Sequence, residues 1–156
     1  MRLRSVVPVL VLFAVIAALI ARQALAGPPI ELPPGFVHLK GGGEGFRART
    51  SDEARLWLRT LTDPSEAPIE FWAAVLEKDL LQRGYERRGG GEVRDGAGTV
   101  GRWLEFDANV QGERMHYRIA VWVDGTAVQV VEYGAVGEAY GKHLPAVEKA
   151  LTTLHR

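Results

Sequence analysis

The chain has 156 residues, 47% of them hydrophobic and 24% charged, with no cysteine and a formal net charge of zero. This composition excludes a wholly disordered chain. The missing cysteine excludes a disulfide framework, a thiol nucleophile and a thiolate metal site, and the balanced charge gives no electrostatic case for nucleic acid.

The first 26 residues have the three parts of a secretory signal. Arg2 and Arg4 supply the positive start, Val6 to Ile20 is uninterrupted apolar sequence, and Ala24-Leu25-Ala26 is an A-x-A cleavage pattern before Gly27. The alternative is an N-terminal anchor through residues 5–21, somewhat short of the about 20 apolar residues of a spanning helix. Membrane contact is expected only if this segment stays uncleaved. Without it, 130 residues remain, with 16 basic and 19 acidic side chains and a net charge of −3. An exported, cysteine-free domain of that size has to be held by its apolar core.

Gly27 to Gly35 (GPPIELPPG) contains four prolines and reads as a linker before a single domain at 36–156. Phe36 to Leu39 is a short strand candidate. Phe46–Thr50 and Arg55–Thr60 form a hairpin around Ser51-Asp52-Glu53. A three-residue loop keeps Phe46, Ala48, Leu56 and Leu58 on one face, so that register is preferred. It puts Arg47, Arg49, Arg55, Trp57 and Arg59 together on the other.

Pro64 to Arg83 is the clearest helix. Pro68 suits its first turn, Ile69, Trp72, Leu76 and Leu80 recur at spacings of three or four, and Gly84 stops it. Tyr85 to Arg88 starts a strand, and Gly89 to Gly98 reads as a loop. Val100–Val110, Glu113–Val123 and Thr126–Tyr133 form a meander, with Asp124-Gly125 as a type I′ turn. Tyr117, Ile119, Val121 and Val123 then share a face with Val128 and Val130, read as core. His116, Arg118, Ala120 and Trp122 share the other with Gln129, Val131 and Tyr133, read as mixed. Tyr140, Leu144, Val147, Leu151 and Leu154 mark a last helix. Pro145 predicts a break near Gly141–Leu144, leaving Pro145–Leu154 as its main part. The resulting order, β-β-β-α-β-β-β-β-α, specifies an α+β domain with a mainly antiparallel sheet flanked by helices.

Few residues fit a catalytic or cofactor pattern. Ser51 and Ser65 sit in turns, outside any G-x-S-x-G. His38, His116, His143 and His155 form no paired ligand motif, and Glu113 and His116 point to opposite faces of a strand. The glycine runs 41–45 and 89–91 lack the Lys-Ser/Thr of a phosphate loop. Fifteen Arg against four Lys, with eighteen Gly and one Asn, fit a GC-rich coding bias, so Gly and Arg counts carry no functional weight by themselves. Glu105 and Asp107 share a strand face beside Trp103, a pairing that suits a glycosidase and equally a solvated strand face. No cofactor or metal is expected. The most distinctive cluster is Arg47, Arg49, Arg55, Trp57 and Arg59, a face able to bind an anionic partner through guanidinium stacking on indole, or else a solvated face neutralised by Glu44 and Glu53.

The succession of Pro-rich arm, hairpin 46–60, helix 69–83 ending at Gly84-Tyr85, meander 103–133 and closing helix resembles the PsbP-like fold over most of residues 36–154. The resemblance rests on element order and carries over no site residues. It implies an α/β/α sandwich and a non-catalytic scaffolding or partner-binding role. The expected function is therefore a binding or assembly-support domain of the periplasm or cell envelope, with an envelope protein as partner and no nucleic acid. The alternative is a binder of a small hydrophobic ligand in a pocket between sheet and helix, walled by Trp72, Trp103, Trp122 and Tyr133.

Overall fold

The computed structural model describes residues 28–41 and 43–155, so the signal or anchor segment lies outside the described residues. The elements are β1 (Val37–His38), β2 (Phe46–Arg49), β3 (Arg55–Thr62), α1 (Ile69–Gln82), β4 (Glu86–Arg94), β5 (Val100–Val110), β6 (Glu113–Asp124), β7 (Ala127–Val136) and α2 (Glu138–Leu151). The strands form one seven-stranded sheet in the order β1-β2-β3-β7-β6-β5-β4. Every neighbouring pair is antiparallel. The domain is α+β, with one helix packed on each face of the sheet.

Local chemistry fixes the hairpins. Phe46 opposes Leu58 and Ala48 opposes Leu56. Thr50 N–H donates to the Ala54 carbonyl at 3.0 Å, closing a three-residue loop whose last residue, Glu53, takes a φ of 65°. The β5–β6 turn is Gln111-Gly112, with φ of 55° and 86°, as a type I′ turn requires. The β6–β7 turn differs from the sequence expectation. Asp124 pairs with Ala127, so the loop is Gly125-Thr126, and within that pair only Gly125 has a positive φ. A β-branched Thr126 would be strained at positive φ, so glycine takes the first loop position, as in a type II′ turn. The slip is two residues in register, and the face assignments survive it.

Both faces are core, where one was expected to be mixed. On the α2 face, Ala120, Trp122, Val131 and Tyr133 pack with Val147 and Leu151. On the α1 face, Phe106, Ile119, Val121, Val128 and Val130 pack with Leu80. The described part of the Pro-rich arm lies against the C-terminus: Pro29 accepts from His155 N–H, Glu31 N–H donates to Thr153 Oγ1, and Ile30 is fully buried.

Two further expectations are corrected. The stretch read as a loop from Gly89 is strand β4 as far as Arg94. Gly89 and Gly91 lie under the Trp103 ring, and a Cβ on Gly91 would stand 3.0 Å from the indole nitrogen. The glycines make room for that ring, and the turn begins only at Asp95, whose carboxylate accepts from the Ala97 and Thr99 N–H groups. The last helix is continuous through Pro145. Pro145 and Gly141 are both on its exposed side, so the carbonyl that loses its partner at position 141 faces water.

Two glycine variants separate packing from backbone effects. A Cβ on Gly101 would stand 2.5 Å from Trp122 Nε1, whereas one on Gly141 meets nothing within 4 Å. Gly101→Ala should lose about 1–3 kcal/mol in urea unfolding by overpacking. Gly141→Ala should gain about 0.5–1 kcal/mol by helix propensity. Equal effects of the two variants would contradict this packing.

Candidate functional site

Helix α1 covers only part of its face of the sheet, packing on β5 and β6. The helix start is held by Asp63, whose carboxylate accepts from Ser65 N–H and Oγ, Ala67 N–H and Trp72 Nε1. Those bonds, led by the Ser65 hydroxyl, lower its pKa to about 2. The helix end is a Schellman turn at Gly84, with Tyr85 N–H donating to the Leu80 carbonyl and Gly84 N–H to that of Leu81. This turn sets Tyr85 edge-on against Tyr117, with ring centres 5.4 Å apart.

Beyond Tyr85 the sheet face is open as a groove of about 660 Å³. Its floor follows two rungs of the sheet. One runs Arg47, Trp57, Glu132, Ile119, and the next runs Arg49, Arg55, Gly134, Tyr117. The register thus places all five residues of the arginine–tryptophan cluster on one face, with Arg47 opposite Trp57 and Arg49 opposite Arg55. Trp57 is fixed by its Nε1–H, which donates to the Glu44 carbonyl at 3.2 Å. Gly45, at a φ of 87°, lets the chain pass close beneath: a Cβ there would stand 2.3 Å from the Leu58 carbonyl oxygen. The guanidinium carbons of Arg47 and Arg59 both lie 4.8 Å from the centre of the indole.

Glu132 is the residue that sequence reading missed. It stands at the base of the groove, paired with Arg59 Nε at 3.3 Å and accepting from the Tyr117 hydroxyl. Burial, followed by the neighbouring Glu132 charge, pushes the Tyr117 pKa well above the usual phenol value. A signal for Glu132 did exist: it shares strand parity with Val128 and Val130, so it is a charge on a core face. Tyr85, Met115, Tyr117 and Gly134 complete the groove and carry no motif that could mark them. Of the acids expected to neutralise the cluster, Glu53 reaches Arg55 at 3.4 Å, with both side chains exposed. Glu44 contributes its backbone carbonyl to Trp57.

The other face holds the two strand carboxylates. They are not on a solvated face. Asp107 is buried beneath the α2 side of the sheet. It accepts from Arg88 Nε at 2.6 Å, from the Arg114 guanidinium, and pairs with His116 Nδ1 at 2.7 Å. Burial raises its pKa, but the bonds from Arg114, Arg88 and His116 outweigh this and hold it below the ordinary carboxylate value. Glu105 pairs with Arg118 and accepts from the Tyr140 hydroxyl at 3.0 Å. His143 pairs with Asp52, which Lys142 and Thr50 also bond. His38 stacks on Phe46, and His155 is exposed. Among the described residues, no three His, Asp or Glu side chains are grouped so as to hold a metal ion. The four aromatics expected to wall a ligand pocket do not share one. Trp72 belongs to α1, while Trp103, Trp122 and Tyr133 lie on the α2 face, where Trp122 and Tyr133 are filled into the core.

Fold and surface together define an α+β antiparallel-sheet domain with a helix on each face and an open, arginine-rimmed groove beside α1. No protein-family model matches the sequence, and no curated protein is similar to it in sequence. Solved structures do match in fold. PA94 of Pseudomonas aeruginosa, a protein of unknown function, superposes with a TM-score of 0.59 at 16% identity, covering 86% of this chain and 87% of that one. LpqN of Mycobacterium tuberculosis, involved in cell envelope biogenesis, gives 0.56 at 16%, covering 79% and 78%. The cyanobacterial PsbP of Synechocystis gives 0.53 at 15%, covering 77% and 80%. The chain has the PsbP-like fold that its element order resembles. Among the described residues, no helix is long and apolar enough to cross a membrane.

The Asp107 cluster predicts an acid response. A carboxylate with a lowered folded pKa stabilises fully above its unfolded value, about 4, and loses that contribution as pH falls through the folded value. Thermal unfolding between pH 7 and pH 2 should therefore drop below pH 4. Asp107→Asn should be less stable at pH 7 and flatter across the acid range. A variant profile parallel to the wild type would contradict the assignment.

Proposed function

We propose that this chain is an exported, non-catalytic binding or assembly-support domain of the periplasm or cell envelope, and that its working surface is the arginine–tryptophan groove. The observation that carries this reading is the groove itself, a stretch of sheet face left uncovered where cations and aromatic rings converge. One fact supports the non-catalytic part. Asp107, which pairs with His116 in the nearest approach to an acid–base pair, is buried and bound by both Arg88 and Arg114, as a structural ion cluster is. The envelope setting is supported by the signal-like sequence at 1–26 and by the fold shared with LpqN, a protein involved in envelope biogenesis. The expected partner is an envelope protein, with no nucleic acid and no metal or cofactor. Membrane attachment applies only if residues 1–26 are retained.

Intact-mass analysis of the exported protein should give a chain beginning at Gly27. A chain retaining residues 1–26 would select the anchor instead. Affinity capture from the native envelope fraction should be run in parallel with wild type and Arg49→Glu/Arg55→Glu. At least one protein retained by the wild type should fall tenfold or more with the variant, at unchanged circular dichroism. Identical retained sets would overturn the groove as the working surface.

A further inference from the structure

The distribution of charge inside the groove identifies the class of occupant, an inference that rests on the docking reading above. Glu132 at the base is matched by Arg59 and bonded by Tyr117, so the base is close to neutral. The surplus positive charge lies on the rim. Arg55 has a 76% exposed side chain and pairs with the exposed Glu53; Arg49 stands opposite it and is exposed too. Exposed pairs of that kind are worth little and are easily exchanged for a better partner. The rim therefore attracts carboxylates, and the base neither attracts nor repels them strongly.

The spacing of the cations is that of a strand. Arg47 and Arg49 on β2, and Arg55, Trp57 and Arg59 on β3, project from one face at every second residue, about 7 Å apart. An extended peptide projects its own alternate side chains at the same repeat. Acids two residues apart on such a segment meet successive rungs without bending, whereas a helix, with its 5.4 Å pitch, falls out of step.

The floor supplies the second determinant. In the rung Arg49, Arg55, Gly134, Tyr117, the glycine leaves a gap between the cations and the phenol ring. A Cβ on Gly134 would stand 3.2 Å from the Tyr117 ring, so even a small side chain narrows this notch. Met115, Tyr85 and Tyr117 line it. The notch suits one apolar side chain carried beside the acids.

We propose that the groove binds an extended acidic segment of a partner protein, with alternate carboxylates on the successive Arg47–Trp57 and Arg49–Arg55 rungs and one apolar side chain in the notch over Gly134.

The test uses the isotope-labelled protein and three capped seven-residue peptides. One has glutamate at its second and fourth positions, leucine at its sixth and glycine elsewhere, so that all three side chains project from one face; the second replaces each glutamate by lysine, and the third replaces the leucine by glycine. The first should shift the Trp57 Nε1–H resonance and bind at least tenfold more tightly than the other two. Arg49→Glu/Arg55→Glu, altered only at exposed positions, should weaken it tenfold or more. Gly134→Val should remove the advantage of the leucine peptide over the leucine-free one. Equal binding of the lysine peptide, equal binding of the leucine-free peptide, or an unmoved Trp57 signal at millimolar peptide would each overturn the proposal. So would groove binding of anilinonaphthalenesulfonate, lost in the double variant, with no peptide binding; that result assigns the site to a small amphipathic anion. If the peptides fail while the double variant still loses its captured partner, the docking surface stands and only the class of segment is overturned.

Discussion

A wide sheet with two buried faces and only two helices to cover them is the constraint from which the rest follows. Seven strands at about 4.8 Å spacing span close to 29 Å. A helix is about 10 Å across, so each covers two or three strands. On the α2 face the shortfall is made up by other parts of the chain, with Ile30 of the arm, Phe36 just after it and Leu154 beyond the helix joining the core. On the α1 face, the strands nearest β1 stay uncovered. Apolar residues could not occupy that stretch without leaving a sticky patch. Arginines and a tryptophan, with apolar bodies and polar or cationic surfaces, can. The groove is thus a consequence of the architecture before it is a site.

The α2 face solves a different problem. Asp107, Glu105 and Arg118 lie between sheet and helix, where an unpaired charge would be costly. Each has partners on two other elements: β4 and β6 for Asp107, β6 and α2 for Glu105, and β5 and α2 for Arg118. Such a network holds those elements in one arrangement. It also uses up the charges, which is why this face, although rich in ionisable groups, offers less for a ligand than the simpler groove opposite.

The groove combines rigid and adjustable parts. Trp57 is fixed by Gly45 and the Glu44 carbonyl, and Tyr85 by a helix-ending turn, so the aromatic walls are pre-organised by backbone geometry. The rim arginines are long, exposed and lightly paired. A surface with fixed walls and mobile cations can select for shape at its floor while gathering negative charge at its edge.

Much of this was legible in the sequence. Alternation at period two set the faces of the β2–β3 hairpin and of the meander, because one wrong step would have turned Phe46, Ala48, Leu56 and Leu58 to solvent. The same parity puts Arg47, Arg49, Arg55, Trp57 and Arg59 together from the sequence alone. Element order alone pointed to the PsbP-like fold. The rest depended on partners far away in the chain. Gly89–Gly91 looked like a loop because the Trp103 ring that lies over them belongs to the next strand. Pro145 looked like a break because only the packed helix reveals that its lost bond faces water. Asp107 looked solvated because its partners, Arg88 on β4 and Arg114 and His116 on β6, come from two other stretches of sequence. Glu132, Gly134 and Tyr85 joined the groove only when strand β7 was set beside β3 and α1 had ended. Local pattern determines which way a side chain points. What it points at is decided by the tertiary structure, because the energy of a buried charge, a ring stacked on glycine or an uncovered face is a property of neighbours that the chain brings together only on folding.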